Sequence, residues 1–145
     1  MSISSDFETD ISIQSSISHP LIHVWIPTVF LAGGQKSKSH HIYQIYVRIR
    51  DDEWNVYRRY SQFHSLHKTL RKKFQVLGSY DFPPKKTIGN KDSKVVQERR
   101  KKLEHYLRNL INLLQSQHND ITDKQRLIDV LPFLRSVPSL NCIDN

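Results

Sequence analysis

Three pairs of adjacent basic residues have the side chains and the spacing to bind an anionic group. The pairs are Arg58 and Arg59, Lys85 and Lys86, and Arg99 and Arg100. A guanidinium can bind two phosphate oxygens or two neighbouring hydroxyls with its planar fork, whereas an ammonium contributes a single point charge. The first pair lies between two tyrosines in "YRRY", the second follows two prolines in "FPPKK", and the third occurs in "ERRKK".

Arg58 and Arg59 come at the end of a strand-like run, where a helix-like run begins. Successive side chains of a strand point to opposite faces of the sheet, so at most one of these arginines can face a shared site. The alternative is that both are solvated or are paired with nearby acids, of which Asp51, Asp52 and Glu53 are candidates.

Arg99 lies on the apolar face of a predicted helix. From Ser93 to about Gln115, apolar residues recur with a helical period, and Arg99 follows Val96 by three residues and precedes Leu103 by four. An inward guanidinium needs an anionic partner, because an unpaired buried charge is costly. Arg99 therefore lines an anion pocket, or else it lies in the exposed first turns or pairs with a nearby carboxylate.

The loop "FPPKK" supplies a third cationic group. Its prolines restrict the backbone, which presents Lys85 and Lys86 at low entropic cost. Such loops are common at protein surfaces, so this signal gains weight only beside the two arginine pairs.

The first part of the chain predicts a three-stranded antiparallel meander. The run "LIHVWIPTVFL" is apolar and β-branched, "GG" at 33 and 34 offers a turn, and "HIYQIYVRI" alternates. Pro27 indicates an edge position or a bulge, and a third strand is expected to end near Tyr57. The residues of the second strand expected to face the core are Tyr43, Ile45, Val47 and Ile49.

Helices are predicted after the meander. Ser61 is expected to cap a first helix that runs to about Phe74. The prolines predict a loop between this helix and the long second one, and a short third helix is expected to stop at Pro132. The predicted fold class is α+β, a three-stranded antiparallel meander packed on a helical subdomain with a proline-rich loop between the first two helices.

The length of 145 residues fits one domain, expected over residues 20–136. Residues 1–19 are serine-rich and are expected to form a disordered tail, and residues 137–145 a flexible one. The net charge is +8, and between Lys85 and Lys102 eight basic residues face two acidic ones. Such a field attracts nucleic acid or an anionic membrane surface.

A cytoplasmic location is expected, since the start of the chain has no secretory pattern and no apolar run is long enough to span a membrane. The single cysteine, Cys142, excludes a disulfide framework.

The motifs "RRYSQFHSLHKTL", "FPPKK" and "ERRKKLEHYLRNL", in that order after a strand meander, resemble the PX (phox homology) domain over about residues 20–136. The chain is particularly similar to PX domains of sorting nexins and of a kinesin tail. The resemblance implies a basic pocket for a phosphoinositide headgroup, most often phosphatidylinositol 3-phosphate. It also implies a peripheral protein recruited to the cytosolic face of early endosomes for trafficking or sorting.

Carried over to this sequence, the resemblance implies that Arg59 holds the 3-phosphate and that Tyr60 packs against the inositol ring. Lys85 corresponds to the contact with the 1-phosphate, and Arg99 to the arginine that binds hydroxyls 4 and 5. The additional candidates are Arg58, expected to be chiefly structural, Lys86, and Arg100, which remains an alternative to Arg99.

The resemblance also implies that the loop after the lysines contacts the membrane through Thr87, Ile88 and Lys91. Only Ile88 is strongly apolar, so weak intrinsic anchoring is expected, helped by the neighbouring lysines. Tight anchoring would then require a dimer, a protein partner or a second membrane-binding element. The alternative for Ile88 is packing under the loop.

Two other function classes remain open. One is a protein-interaction module without lipid binding, and the other is a basic domain that binds nucleic acid, although no RNP-like or zinc-finger pattern supports it and nucleic acid is not the expected partner. Catalysis and a cofactor are not expected. His64 and His67 lie three apart without a carboxylate partner, so no metal site is expected either.

Overall fold

The sheet consists of three antiparallel strands in sequence order. In the computed structural model, which describes residues 21–33, 38–85 and 92–137, they are β1 (Ile22–Ala32), β2 (His40–Ile49) and β3 (Asp52–Arg59), with β2 in the centre. The predicted meander is confirmed. The third strand continues two residues beyond the expected end at Tyr57, so both arginines of "YRRY" belong to it.

Helices follow the sheet in the chain. They are α1 (Tyr60–Lys73), α2 (Ser93–Gln117) and α3 (Lys124–Val130), with 3-10 turns at Gln75–Ser79 and Pro132–Leu134. The first 3-10 turn was not predicted, and α2 ends two residues later than expected. The proline-rich loop lies between α1 and α2, and the α+β fold class is confirmed.

One face of β2 packs against the helices. Tyr43, Ile45, Val47 and Ile49 are all buried, as the alternation predicted. Ile42, on the opposite face, is only 2% exposed, which was not expected. It lies opposite Phe30 of β1 and Arg59 of β3, so long neighbouring side chains flank it on both strands.

Pro27 marks a break in the pairing of the edge strand. The register between β1 and β2 shifts between Trp25 and Thr28, and β1 pairs with β2 alone. Both alternatives for Pro27 are therefore correct, since a residue without an N–H fits an edge strand at an irregularity.

Helix α2 bonds to the free edge of β1 through side chains. The Ile26 N–H donates to the Glu104 carboxylate at 2.7 Å, and Arg100 donates to the Ile26 carbonyl at 2.6 Å. One turn further along, Arg108 donates to the Val24 carbonyl at 2.8 Å. These bonds satisfy backbone groups of the edge strand and fix the middle of α2 against the sheet.

The cap of α1 differs from the prediction. Arg59, rather than Ser61, is the N-cap residue, and its backbone N–H donates to the Gln62 side chain at 2.8 Å. Because β3 ends at Arg59 and α1 begins at Tyr60, no linker separates the two elements. The "YRRY" motif is therefore a direct strand-to-helix junction.

In the described part of the chain, no helix has the length and apolar character needed to span a membrane. The expected tails at residues 1–19 and 137–145 lie outside the described residues, apart from Val137.

Candidate functional site

Arg59 projects from the end of β3 towards the start of β2. Its Nη2 lies 3.0 Å from Nδ1 of His40. Its Nε is buried and has no hydrogen-bond partner among the described residues. A buried guanidinium N–H without an acceptor is costly, so this side chain is suited to a ligand that brings acceptor oxygens.

Arg58 points the other way and is 7% exposed. It donates to the Tyr57 carbonyl at 2.7 Å and to the Arg135 carbonyl at 2.6 Å, and its guanidinium carbon lies 5.5 Å from the centre of the Phe133 ring. Burial lowers the pKa of Arg58. The alternation argument is confirmed, because Arg58 connects β3 to the end of the domain while only Arg59 faces the cleft.

Arg99 and Tyr60 hold the proline loop between α1 and α2. Arg99 donates through Nη2 to the carbonyls of Pro84 and Lys85, the latter at 3.1 Å. Its guanidinium carbon lies 4.1 Å from the centre of the Tyr60 ring. The Tyr60 hydroxyl donates to the Pro83 carbonyl at 2.7 Å. The loop is thus fastened to the first residue of α1 and the second turn of α2.

These groups meet around a single cleft of about 370 Å³. It is lined by Lys38, Ser39, His40, His41, Tyr43, Arg59, Tyr60, Ser61, Lys85 and Arg99. The four residues predicted to form the pocket, Arg59, Tyr60, Lys85 and Arg99, are all among them. No carboxylate lines the cleft within the described residues. Its charged side chains are cationic, so it attracts an anion.

Burial and the Arg99 guanidinium shift the pKa values of three side chains that line the cleft. Burial lowers the pKa of His41, and the positive charge of Arg99 lowers it further. Burial raises the pKa of Tyr43 and of Tyr60, although Arg99 opposes the rise in each case. Both tyrosines are neutral near pH 7, and each hydroxyl can donate a hydrogen bond.

Arg100 lies outside the cleft. It donates to the Ile26 carbonyl and to the Gln97 side chain, and Glu104 lies 4.0 Å from it. Of the two arginines in "ERR", only Arg99 reaches the cleft. The other predicted loop residues, Lys86, Thr87, Ile88 and Lys91, lie outside the described residues.

β2 and the residues just before it also contribute to the cleft. Lys38, His40 and His41 line one wall and were not predicted to do so. The antiparallel pairing of β2 with β3 is the feature that could have indicated this wall. Ile42 is directly opposite Arg59, so His40 lies two residues further along the same face of the sheet.

A cluster of His67, Phe82 and Tyr106 packs the proline loop against α1 and α2. Nδ1 of His67 on α1 lies 2.9 Å from the Tyr106 hydroxyl on α2, and the His67 ring stacks on Phe82 at 4.6 Å. Burial lowers the pKa of His67 and raises that of Tyr106. In the described ranges, no group of three or more histidine, cysteine or acidic residues could hold a metal ion.

The family of the chain follows from a family model described as "PX domain", which matches residues 46–125. The chain belongs to the PX domain family. Members of this family generally bind phosphoinositide membranes. The resemblance found in the sequence is therefore confirmed at the level of the family.

Similar curated proteins differ widely in how much of their own length this chain matches. Kinesin-like protein KIF16B of Mus musculus is 44% identical over 97 residues, which cover 66% of this chain and 7% of the relative. Sorting nexin-22 of Homo sapiens is 32% identical over 111 residues, which cover 74% of this chain and 55% of the relative. The chain thus matches only a part of each of these relatives.

Among solved structures, the chain is similar to one titled "X-ray structure of a designed CISK-PX domain". The match has a TM-score of 0.51 and 38% sequence identity, and it covers 59% of this chain and 79% of that one.

Proposed function

We propose that the cleft between the sheet and the helices binds the headgroup of a phosphoinositide, most strongly phosphatidylinositol 3-phosphate, and thereby recruits the protein to endosomal membranes. The observation that carries this proposal is the convergence of two guanidiniums and two lysines, from four separate segments, on a cleft that no described carboxylate lines. Membership of the PX family supports the same ligand class.

Each proposed role uses the geometry of one side chain. Arg59 binds the 3-phosphate, the role that the family resemblance implies for it, and its geometry supports an anion contact, because part of its guanidinium is buried without a partner and its Nη2 meets only a histidine nitrogen among the described residues. Lys85, exposed at the end of the described loop, binds the 1-phosphate that links the headgroup to the lipid. Tyr60 forms a wall for the inositol ring.

Arg99 has two roles in this proposal. Its Nη2 already holds the proline loop through two carbonyls. The rest of its fork is then available for the adjacent hydroxyls 4 and 5 of the inositol ring, which a guanidinium can bind as a pair. Arg100 is assigned no ligand contact, since its donors serve β1 and its own helix.

The proposed lipid-binding unit spans residues 20–136, and its role is recognition rather than catalysis. We further propose that Ile88, with Thr87 and the neighbouring lysines, contacts the bilayer on the cytosolic face of early endosomes. A dimer or a protein partner would supply the second contact needed for tight anchoring.

The test is sedimentation with phosphatidylcholine liposomes that contain one phosphoinositide each. We expect the wild type to sediment best with phosphatidylinositol 3-phosphate and Arg59→Ala to lose at least about tenfold in affinity, as is typical when a charged hydrogen bond is lost. Arg48→Ala is the matched control. It removes the same charge from an exposed position eight residues along β2 from His40, and should change binding little.

Absence of binding to every lipid, or equal effects of the two substitutions, would overturn the proposal. The first result would favour a protein-interaction module. Retention of RNA by Arg59→Ala, with no lipid binding by the wild type, would favour a nucleic-acid-binding domain.

A further inference from the structure

The contact between Arg59 and His40 allows one hydrogen-bond direction. A guanidinium only donates hydrogen bonds and keeps its charge at any ordinary pH. Nδ1 of His40, at 3.0 Å from Nη2 of Arg59, must therefore be the acceptor. The ring accepts this bond only as the tautomer that carries its proton on Nε2. Protonation at Nδ1 would abolish this bond and place two cations side by side.

A phosphate on Arg59 would draw on the same nitrogen. Nη2 of Arg59 carries two N–H groups, one for each of the two faces on which a guanidinium can bind an anion in a pair of hydrogen bonds, and His40 accepts one of them. A phosphate that binds the face containing this N–H must displace the histidine. His40 with an unprotonated Nδ1 therefore competes with the anion for one face of Arg59.

We propose that His40 is a proton-sensitive competitor for Arg59, so that the domain binds its anionic headgroup more tightly when His40 is protonated. Protonation removes the competing acceptor and adds a donor beside the bound phosphate. The inference rests on the proposed function, because it assigns a regulator to the same site.

The surroundings of His40 favour this coupling. The other charged or titratable groups that line the cleft are Lys38, His41 and Tyr43 around β2, Arg59 and Tyr60 at the strand-to-helix junction, Lys85 in the loop and Arg99 on α2. No described carboxylate among them could neutralise a protonated His40. An anionic ligand is thus the group that stabilises the protonated form, and binding should take up a proton.

His41 contributes in the same direction. In the free protein burial, and after it the charge of Arg99, lowers the pKa of His41, and an anion beside Arg99 would offset the repulsion from Arg99. The test must therefore separate the two histidines.

Two substitutions at position 40 mimic the two states of the switch. His40→Asn retains an amide oxygen near the position of Nδ1, so it should compete with the phosphate at every pH. His40→Ala removes the acceptor, so Arg59 is free at every pH. His41→Gln is the matched control, because it removes the neighbouring titratable ring and leaves the Arg59 contact intact.

The measurement is calorimetric titration with the soluble headgroup inositol 1,3-bisphosphate, and with vesicles of phosphatidylcholine containing phosphatidylinositol 3-phosphate, across about pH 8 to 5, where histidines change charge. At the high end we expect His40→Ala to bind about three- to tenfold more tightly than wild type, the effect of one hydrogen bond. At the low end, the wild type should match or exceed it, while His40→Asn should stay weak.

The difference between wild type and the position 40 variants isolates the histidine, since the phosphate of the ligand also titrates near about pH 6 in all of them. Equal affinities of wild type and His40→Ala at high pH would overturn the inference. So would a pH profile of His40→Asn that follows the wild type, or loss of the wild-type profile in His41→Gln alone. Failure of every variant to bind either ligand at any pH would instead refute the proposed function.

Discussion

Replacement of Arg58 by alanine should lower the free energy of unfolding of this domain without removing a ligand contact. Arg58 makes two charged hydrogen bonds, to the carbonyls of Tyr57 and Arg135, and lies over the Phe133 ring. Hydrogen bonds of this kind contribute about 1.5–3 kcal/mol each, and the cation–π contact adds about 0.5–2 kcal/mol. The substitution also removes the desolvation cost of a buried charge, which offsets part of the lost stability. We expect a net destabilisation of about 2–4 kcal/mol.

Urea denaturation followed by tryptophan fluorescence measures this effect. Trp54 is a suitable reporter, because it is buried and its Nε1 donates to the Leu134 carbonyl at 2.7 Å, beside the segment that Arg58 holds. Arg59→Ala is the comparison, since the one described hydrogen bond of the Arg59 side chain is with His40. We expect that variant to lose less than about 1 kcal/mol.

The reasoning would be refuted if the two variants lost similar stability, or if Arg59→Ala were the less stable. Arg58→Lys provides a further check. An ammonium retains the charge but cannot span two carbonyls with a planar fork, so this variant should fall between wild type and Arg58→Ala in the midpoint of unfolding.

Two further predictions concern the helices. Arg100→Ala should lower stability by about 1–2 kcal/mol through loss of the bond to the Ile26 carbonyl, and should leave headgroup affinity unchanged in the liposome assay; weakened binding at full stability would reassign the ligand contact of Arg99 to Arg100. Burial lowers the pKa of His67 from 6.5 in the folded protein, so the unfolded chain binds more protons in acid. Stability should therefore be full above about pH 6.5 and decline as pH falls towards the folded pKa, with a flatter urea-midpoint profile in His67→Gln; identical profiles would exclude this histidine as the cause.

Local rules predicted the strands and helices of the fold, and they predicted that the two arginines of "YRRY" face opposite sides of the sheet. Two-residue alternation assigned Arg58 and Arg59 to opposite faces, and helical periodicity placed Arg99 on the inner side of α2 before any tertiary contact was known. These properties depend only on neighbours in sequence. The choice of Arg59 for the cleft came from family resemblance.

What the sequence did not reveal depends on contacts between distant segments or on competition between local caps. Ser61 has the side chain of a cap, but the N-cap lies two residues earlier, at Arg59, and the Gln62 side chain accepts the N–H of Arg59. The position of His40 beside Arg59 requires the register of β2 with β3 across 19 residues of sequence. No periodicity in the sequence encodes that register by itself.

Backbone carbonyls rather than carboxylates hold Arg99 at the cleft and Arg58 on the other face of β3. Arg58 donates to the carbonyls of Tyr57 and Arg135, and Arg99 to those of Pro84 and Lys85. A carbonyl fixes a guanidinium in place but does not cancel its charge, whereas a carboxylate would do both. If the partner were a carboxylate, an anion entering the cleft would have to break that ion pair first. Because the partners of Arg99 are neutral, this side chain is positioned in advance and its positive field remains available in the cleft, which is the condition that an electrostatic binding site for a phosphate requires.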